Sequence, residues 1–362
     1  MFGKIKKTVD LYKKYKTGQV QERYIKKSLK GLKNKKALTK AQKKEIQEYY
    51  QKLIGKKISL TCHEYFYSRS GVYSKEYVPT YLYHTDIIGK ANMMPYRDAL
   101  ADKNMCDLLF PDVKHPKTIL KNMNGYYYFE DEPVTKEEAI QRCQNLHHML
   151  IKPTLDKHGN GVKSLEVTNG VTNHDGATIA EVFDHYQKNF QIQERLKQHD
   201  RMSALNPTSV NTIRILTYRS GMEILIIYAV VRIGRKGQVI DNQSAGGMSA
   251  NIDKDGKLEK YAYGGSVEDH IQQTDSGVVL EGYEIPSYEK VLETVKRLHF
   301  HLPFFDIVGW DMAVDEEGDP VILEWNANTG LSQSAFGPGL GDYTERIIKE
   351  LWPRQNHINK NW

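Results

Sequence analysis

The chain has 362 residues, enough for two or three compact lobes, and its apolar (40%) and charged (27%) fractions are those of an ordinary globular protein. No apolar run is long enough to span a bilayer, and the lysine-rich N-terminus lacks the apolar core of a secretion signal, so a cytoplasmic protein is expected. The net charge of +6 is unevenly spread: residues 1–57 carry 19 Lys and Arg against 4 Asp and Glu, and the remainder carries 32 against 41.

Residues 2–17 repeat Phe2, Ile5, Val9 and Tyr12 at helical spacing among lysines, which predicts a basic amphipathic helix. Residues 39–55 predict a second helix, with Thr39 as N-cap and Gly55 as stop. Such helices can lie on an anionic membrane, which would place the protein at the inner face of the membrane, or pack their stripe on the body. Nucleic acid is not expected as a partner, because no reader motif accompanies the charge. Residues 1–57 are therefore read as a basic helical arm, and 58–130 as a small N-terminal lobe packed by its many tyrosines. Lys103 stands in that lobe within ALADKNMCDLLF, with Lys114 and Lys121 nearby. Cys62, Cys106 and Cys143 fit no metal spacing, and reduced, buried thiols are expected.

Thr135 and Glu138 stand in a capping-box relation and open a helix predicted to reach Met149. Leu150–Pro153 then reads as a short strand carrying Lys152, His158–Gly161 as a glycine loop, and Val162–Val167 as a returning strand. A strand lysine beside Gly159 and Gly161 suits phosphate, the ammonium giving a point charge while loop N–H groups close over the oxygens. No Gly-Lys-Ser/Thr follows, so this is not a P-loop. Gln191–Leu196 reads as another strand. From Val210, NTIRILTYRS and MEILIIYAVVRIGR predict antiparallel strands about a turn at Ser220–Met222. Arg214 and Arg232 within them each need an anion, either a carboxylate of the sheet or a phosphate in transfer. Gly246 and Gly247 allow a ligand to approach the backbone closely, and Gly264 to Gly277 reads as a mobile loop over an acceptor site. Ser287–Leu302 and Tyr343–Leu351 are predicted helices, and His147, His148, His299 and His301 are read as ordinary helix-end residues.

The most informative stretch is GWDMAVDEEGDPVILEWNANTG, from Gly309 to Gly330. Two apolar runs flank the turn DEEGD and predict a hairpin. Glu324 and Asn326 are two apart, so on a strand they share a face, and Asp311 on the partner strand can reach the same face. Two carboxylates and an amide oxygen form the hard-donor set that suits Mg²⁺ beside phosphate. Glu324 follows Val-Ile-Leu directly, and a carboxylate embedded in such a strand is costly unless paired or metal-bound.

Asp311 followed by Glu324-x-Asn326 resembles the metal-binding end of the ATP-grasp superfamily. NPTSVNTIRILTY, DNQSAGGMSANID and FDIVGWDMAV with ILEWNANTG resemble its sugar-transfer-associated branch, over about residues 80–350. The resemblance implies an α+β fold in which two lobes grip ATP: a central lobe (131–196) with the glycine loop, and a C-terminal lobe (197–352) with the metal site, before a tail (353–362). It implies Lys103 and Lys152 as nucleotide ligands, Gly159 and Gly161 over the phosphates, and Glu194, Arg195 and Leu196 at an adenine hinge. Lys197, His199 or Asp200 would meet the ribose. Arg214, Arg232 and Lys152 would steady the transferring phosphate, two Mg²⁺ ions would bind Asp311, Glu324 and Asn326, and Asn242, Gly246, Gly247 and Asn328 would face the substrate. The implied activity is an ADP-forming ligase joining a small-molecule or glycan carboxylate to an amine in surface-polysaccharide or envelope-glycan synthesis. The same parts would serve a kinase acting on a hydroxyl, or a non-catalytic nucleotide-binding partner at a membrane.

Overall fold

Thr39 caps helix α2 (Lys40–Ile54) by accepting from the Gln42 N–H while the Gln42 side chain accepts from the Thr39 N–H, a full capping box. Gly55 ends the helix at φ 71°, a left-handed turn that its missing Cβ permits. The structure is a computed structural model describing residues 2–155, 161–238, 241, 246–265 and 270–356, with side chains from residue 14 onward.

Helix α1 spans Phe2–Gly31, well beyond the predicted 2–17, because nothing between Lys16 and Gly31 breaks it. Phe2, Ile5, Val9 and Tyr12, the predicted stripe, have side chains outside the described set; its continuation through Ile25, Leu29 and Leu32 packs on Tyr65 and Phe66 of α3 (Thr61–Ser70). Gly18 of α1 faces Thr85, and a Cβ there would make only an ordinary contact at 3.8 Å. The arm read as 1–57 thus packs on the body: Ile46, Tyr50 and Ile54 of α2 join one core cluster with Leu216, Tyr218 and Val230. No described helix is long and apolar enough to cross a membrane. Cys62, Cys106 and Cys143 are free and buried.

Among the described residues two antiparallel sheets organise the chain. The first contains β1 (Thr118–Met123), β2 (Tyr126–Phe129), β3 (Glu132–Val134), β4 (Leu146–Pro153), β5 (Lys163–Thr168), β6 (Val171–Thr172) and β7 (Phe190–Glu194), in the order β3-β2-β1-β7-β4-β5-β6. It crosses the lobe boundary drawn at 130/131, because β1 pairs with β7 as well as β2. The helix predicted over Thr135–Met149 is shorter, Lys136–Arg142, although its capping box forms. Leu146–Pro153 is strand because pairing with β5 and β7 wins over local preference. His147 and His148 are therefore strand residues beside Glu166, not helix-end residues.

The second sheet contains β8 (Thr212–Ser220), β9 (Glu223–Ile233), β10 (Met248–Ile252), β11 (Leu258–Tyr263), β12 (Ile307–Val314) and β13 (Pro320–Asn326), in the order β11-β10-β9-β8-β12-β13. Helix Tyr288–His299 covers one face with Val291, Val295 and Leu298. His299 is fully buried there, accepting from Thr217 Oγ1 at 2.8 Å and donating to the Phe305 carbonyl at 2.9 Å. Helix Thr344–Leu351 and α2 cover the other face. Arg214 and Arg232 alternate onto that second face, the one that also carries Leu216 and Val230.

Candidate active site

The β12–β13 hairpin brings the acidic residues together through its register. Asp311 pairs with Glu324 across the two strands, and Gly309 with Asn326. On its other side Asp311 pairs with Arg214 of β8. Asn326 Nδ2 donates to Glu324 Oε1 at 3.1 Å, so all three predicted metal ligands lie on one patch.

That patch is neutralised by cations. Arg214 grips Asp311 with both prongs, Nε to Oδ1 at 2.5 Å and Nη2 to Oδ2 at 2.7 Å, while Nη1 donates to Thr329 Oγ1 at 2.9 Å. Arg232 Nη2 approaches Asp311 Oδ1 at 3.0 Å, and its Nε donates to Thr212 Oγ1 at 2.9 Å. Burial pushes the Asp311 carboxyl up, against the pull of these two guanidiniums. For Glu324, burial is outweighed by Lys103, by the Asp311 and Asn326 contacts and by Arg214, which together hold its carboxyl well below the usual range. Lys103 Nζ lies 3.3 Å from Glu324 Oε2. Burial and the charge of Lys103 lower Lys152 to about 8, with Glu324 opposing. No described group of three or more His, Cys, Asp or Glu forms a metal cluster; the donor set here is two carboxylates and an amide.

Part of this patch opens onto a cavity of about 1080 Å³, which Asp311, 1% exposed behind Arg214 and Arg232, does not line. Lys103, Arg214, Arg232, Glu324, Asn326 and Asn328 all line it. Of the three candidate lysines, Lys103 is the one at the cavity; Lys114 pairs with Asp315 and Asp319 on the hairpin turn, and Lys121 with Asp107 and Asp131. Lys152 does not line it, although Thr154 and Leu155 of the same stretch do and Lys152 feels the charges of Lys103 and Glu324.

Other predicted positions lie elsewhere. Gly159 and Asn242 fall outside the described residues, as do 266–269 of the loop read over the acceptor. Gly161 forms the turn before β5 at φ 74°, its carbonyl accepting from Tyr186. Glu194 pairs with Lys117 at 3.4 Å at the end of β7. The Arg195 N–H donates to the His148 carbonyl at 2.7 Å, so it serves the sheet, and Leu196 is half-buried beyond it. Asp200 is exposed at the first turn of helix Asp200–Leu205. Gly246 and Gly247 lead into β10, whose Ser249 lines the cavity while neither glycine does.

The sequence reading missed several cavity residues. Thr329 anchors Arg214, and its place in Asn-Thr-Gly carries no signal for that role. His84 sits on a π-helical turn (Tyr83–Ile87), a local irregularity that often marks functional positions, with Nδ1 3.4 Å from Asn328 Oδ1. Gln21, Tyr24 and Ile25 of α1 and Tyr65, Phe66 and Arg69 of α3 complete the wall.

The model of the sugar-transfer associated ATP-grasp family matches residues 83–349. Comparison with curated proteins gives no match. Among solved structures the chain is similar to an L-amino acid ligase from Bacillus licheniformis at 9% identity and TM-score 0.39, covering 74% of this chain and 51% of the ligase. It is similar to a D-alanine-D-alanine ligase from Helicobacter pylori at 13% identity and TM-score 0.40, covering 70% of this chain and 59% of that one. It is also similar to a biotin carboxylase from Campylobacter jejuni at 10% identity and TM-score 0.41, with coverage of 70% and 46%. The chain thus spans about half the length of these solved proteins.

Proposed function

The chain belongs to the sugar-transfer-associated ATP-grasp family and has its α+β fold, and from that premise we propose that it is an ATP-dependent carboxylate–amine ligase making an amide for a surface polysaccharide or envelope glycan. One observation carries this reading: Lys103, Arg214, Arg232, Glu324 and Asn326, drawn from four separate parts of the chain, converge on one cavity. Cationic and hard-oxygen groups meeting in one concave site suit a triphosphate with its counter-ion.

In this reaction an oxygen of the acceptor carboxylate attacks the γ-phosphorus, and ADP leaves with the electrons of the broken P–O bond. The amine nitrogen of the second substrate then attacks the acyl carbon, inorganic phosphate leaves, and the ammonium proton passes to solvent. No protein nucleophile is required, so the chain's contribution is positioning and electrostatics. Lys103 and Lys152 hold the charge of the transferring phosphoryl group. Arg214 uses its donors on Asp311 and Thr329, which makes it a positioning residue for the carboxylate patch. The patch fits a magnesium site, since Glu324 is held ionised beside a second carboxylate and an amide. Glu324 and Asn326, which line the cavity, would hold Mg²⁺, with Asp311 behind them engaged by Arg214 and Arg232; the ion would neutralise and orient the triphosphate.

The test is to incubate the full chain with MgATP and pairs of carboxylates and amines, following ADP and condensed product by mass spectrometry. ADP and phosphate release that needs both partners supports the ligase. Phosphate retained on the acceptor selects a kinase, and nucleotide binding without turnover under any acceptor selects a non-catalytic partner.

A further inference from the structure

Helix α1 has two opposed faces. Ile25, Leu29 and Leu32 lie on one of them and pack on Tyr65 and Phe66. Glu22, on the same side, accepts from Ser59 Oγ at 2.5 Å and Thr61 Oγ1 at 2.8 Å, and Lys14 pairs with Asp86 at 2.5 Å. The fold therefore occupies this apolar side, and the alternative of laying it into a membrane is closed. Lys16, Val20, Arg23, Lys27 and Lys30 follow one another at spacings of four and three residues. That draws a second stripe half a turn away, and all five residues are exposed.

The outer stripe is cationic. Lys27 and Lys30 have no partner among the described residues, and Arg23 reaches only Gln19, one turn back on the same helix, at 3.2 Å. From Tyr15 to Ala37 every exposed charged residue is Lys or Arg, and Lys33 and Lys35 carry the surface past the helix end. The chain after residue 57 has the opposite balance, 32 Lys and Arg against 41 Asp and Glu. A molecule divided in this way is turned by a negative plane until α1 faces it. Val20, 60% exposed, stands in the middle of the stripe, and Tyr24, 61% exposed, at its edge. The phosphate backbone of a nucleic acid has no use for an alkyl group at the centre of its contact. The boundary between lipid headgroups and acyl chains accepts both side chains, while Lys and Arg beside them reach anionic headgroups.

We propose that the outer face of α1 docks this chain on an anionic lipid bilayer, with Arg23, Lys27 and Lys30 on the headgroups and Val20 and Tyr24 at the boundary beneath them. The helix binds as a packed part of the body, so no segment leaves its seat. Tyr24 also lines the cavity, so docking sets that wall of the cavity beside the lipid surface. The inference goes beyond the ligase reading and does not depend on it.

The experiment co-sediments the full chain with vesicles of phosphatidylcholine alone and of phosphatidylcholine mixed equally with phosphatidylglycerol. The variant is Arg23→Glu/Lys27→Glu/Lys30→Glu. The control, Lys163→Glu/Lys254→Glu/Lys296→Glu, reverses three exposed lysines elsewhere and changes the net charge equally. We expect the wild type to bind only the mixed vesicles. Raising salt from about 0.1 M to about 1 M, which shortens the screening length from about 10 Å to about 3 Å, should release it. The α1 variant should bind about 10²-fold more weakly at an unchanged melting temperature, since each cation at such a surface contributes about fivefold. Lys27→Glu alone should weaken binding about fivefold or more, which keeps the test open if the triple variant folds poorly. The control should bind as wild type. A wild type that ignores the mixed vesicles overturns the inference, as does an α1 variant that binds them normally or a control that loses as much. A wild type that binds a duplex DNA or single-stranded RNA oligonucleotide more tightly than the vesicles at the same salt, with loss in the α1 variant, overturns it in favour of nucleic acid.

Discussion

The Lys103 ammonium and the Glu324 carboxylate stand 3.3 Å apart, joining a segment ahead of the first sheet to the last strand of the second. Both line the cavity, so a ligand can separate the pair, but Lys103, Asp311, Asn326 and Arg214 hold the Glu324 carboxyl well below the usual range, so its charge also stabilises the fold. The isosteric change Glu324→Gln should therefore lower the melting temperature while leaving a folded protein, and ADP formation should fall about 10²- to 10³-fold, the usual loss for one preorganised electrostatic contact. Thermal melts and coupled ADP release check this; near-normal turnover in a folded Glu324→Gln protein rules out the proposed role.

Lys152 gives a pH dependence of known sign. Burial and Lys103 lower it to about 8, so above pH 8 the folded chain has released a proton that the unfolded chain keeps up to its ordinary value near 10.5. The unfolded state then binds more protons, and stability of the free protein rises between about pH 8 and 10.5. Nucleotide binding runs the other way, because the γ-phosphoryl group needs the charged amine: affinity for a non-hydrolysable MgATP analogue should be flat below pH 8 and fall toward pH 9.5. Calorimetric titrations across that range test it, and Lys152→Arg, which stays charged, should abolish the fall.

How far the sequence disclosed this arrangement differs from element to element. The Asp311–Glu324–Asn326 patch was legible because a strand period of two and a short acidic turn leave few registers. The caps at Thr39, Thr135 and Thr178 are equally local, although only the first two were predicted. The end of the helix at Arg142 was not legible: Leu146 to Met149 contains no breaker, and strand pairing with distant β5 and β7 decides its state. The sequence offered Arg214 a carboxylate or a phosphate as its anion, and only the fold brings Asp311 to it. Nor can a helix reveal what it borders. The pattern of α1 shows which face is apolar, and nothing in it points to a cavity built by residues scattered along the chain from Tyr65 to Ala335.

Arg214 and Asp311 form a buried pair whose separation should be expensive. Arg214→Met leaves Asp311 with Arg232 alone, and breaking a buried pair typically costs about 3–5 kcal/mol. Asp311→Asn strips both guanidiniums of their shared carboxylate. The double variant should lose clearly less than the two single losses added, since the second change removes a partner already lost. Urea unfolding of the four proteins measures the coupling, and additive losses would mean the contact is not energetically real.

His299 predicts acid sensitivity at a site unrelated to the cavity. Burial lowers it to about 4; its Nδ1 accepts from Thr217, which also accepts from the Trp310 indole at 2.8 Å. As pH falls below about 6.5 the unfolded chain takes up a proton that the folded one refuses, so stability is lost progressively down to about pH 4. His63, lowered to about 4 by burial as well, adds a second contribution of the same sign. Each can supply up to about 1.4 kcal/mol per pH unit in that window. Urea midpoints measured from pH 7 to pH 4 should fall, and His299→Gln should reduce the slope.

Gly309 supplies the closest steric test of the site. Its backbone is ordinary strand, but a Cβ there would lie 2.7 Å from Thr329 Oγ1 and 2.8 Å from Thr329 Cβ. Thr329 is the hydroxyl that holds Arg214 Nη1, so an added methyl must displace the turn after β13 and loosen the guanidinium gripping Asp311. Gly309→Ala should therefore cost about 1–3 kcal/mol, the usual price of overpacking, and should also weaken MgADP binding. Thr329→Gly removes the colliding atoms together with the hydrogen bond. Combined with Gly309→Ala it should restore part of the stability lost by Gly309→Ala, while MgADP binding stays weak because Arg214 still lacks its anchor. Recovery of both quantities in the double variant would show that crowding alone was responsible and that Thr329 does not position Arg214.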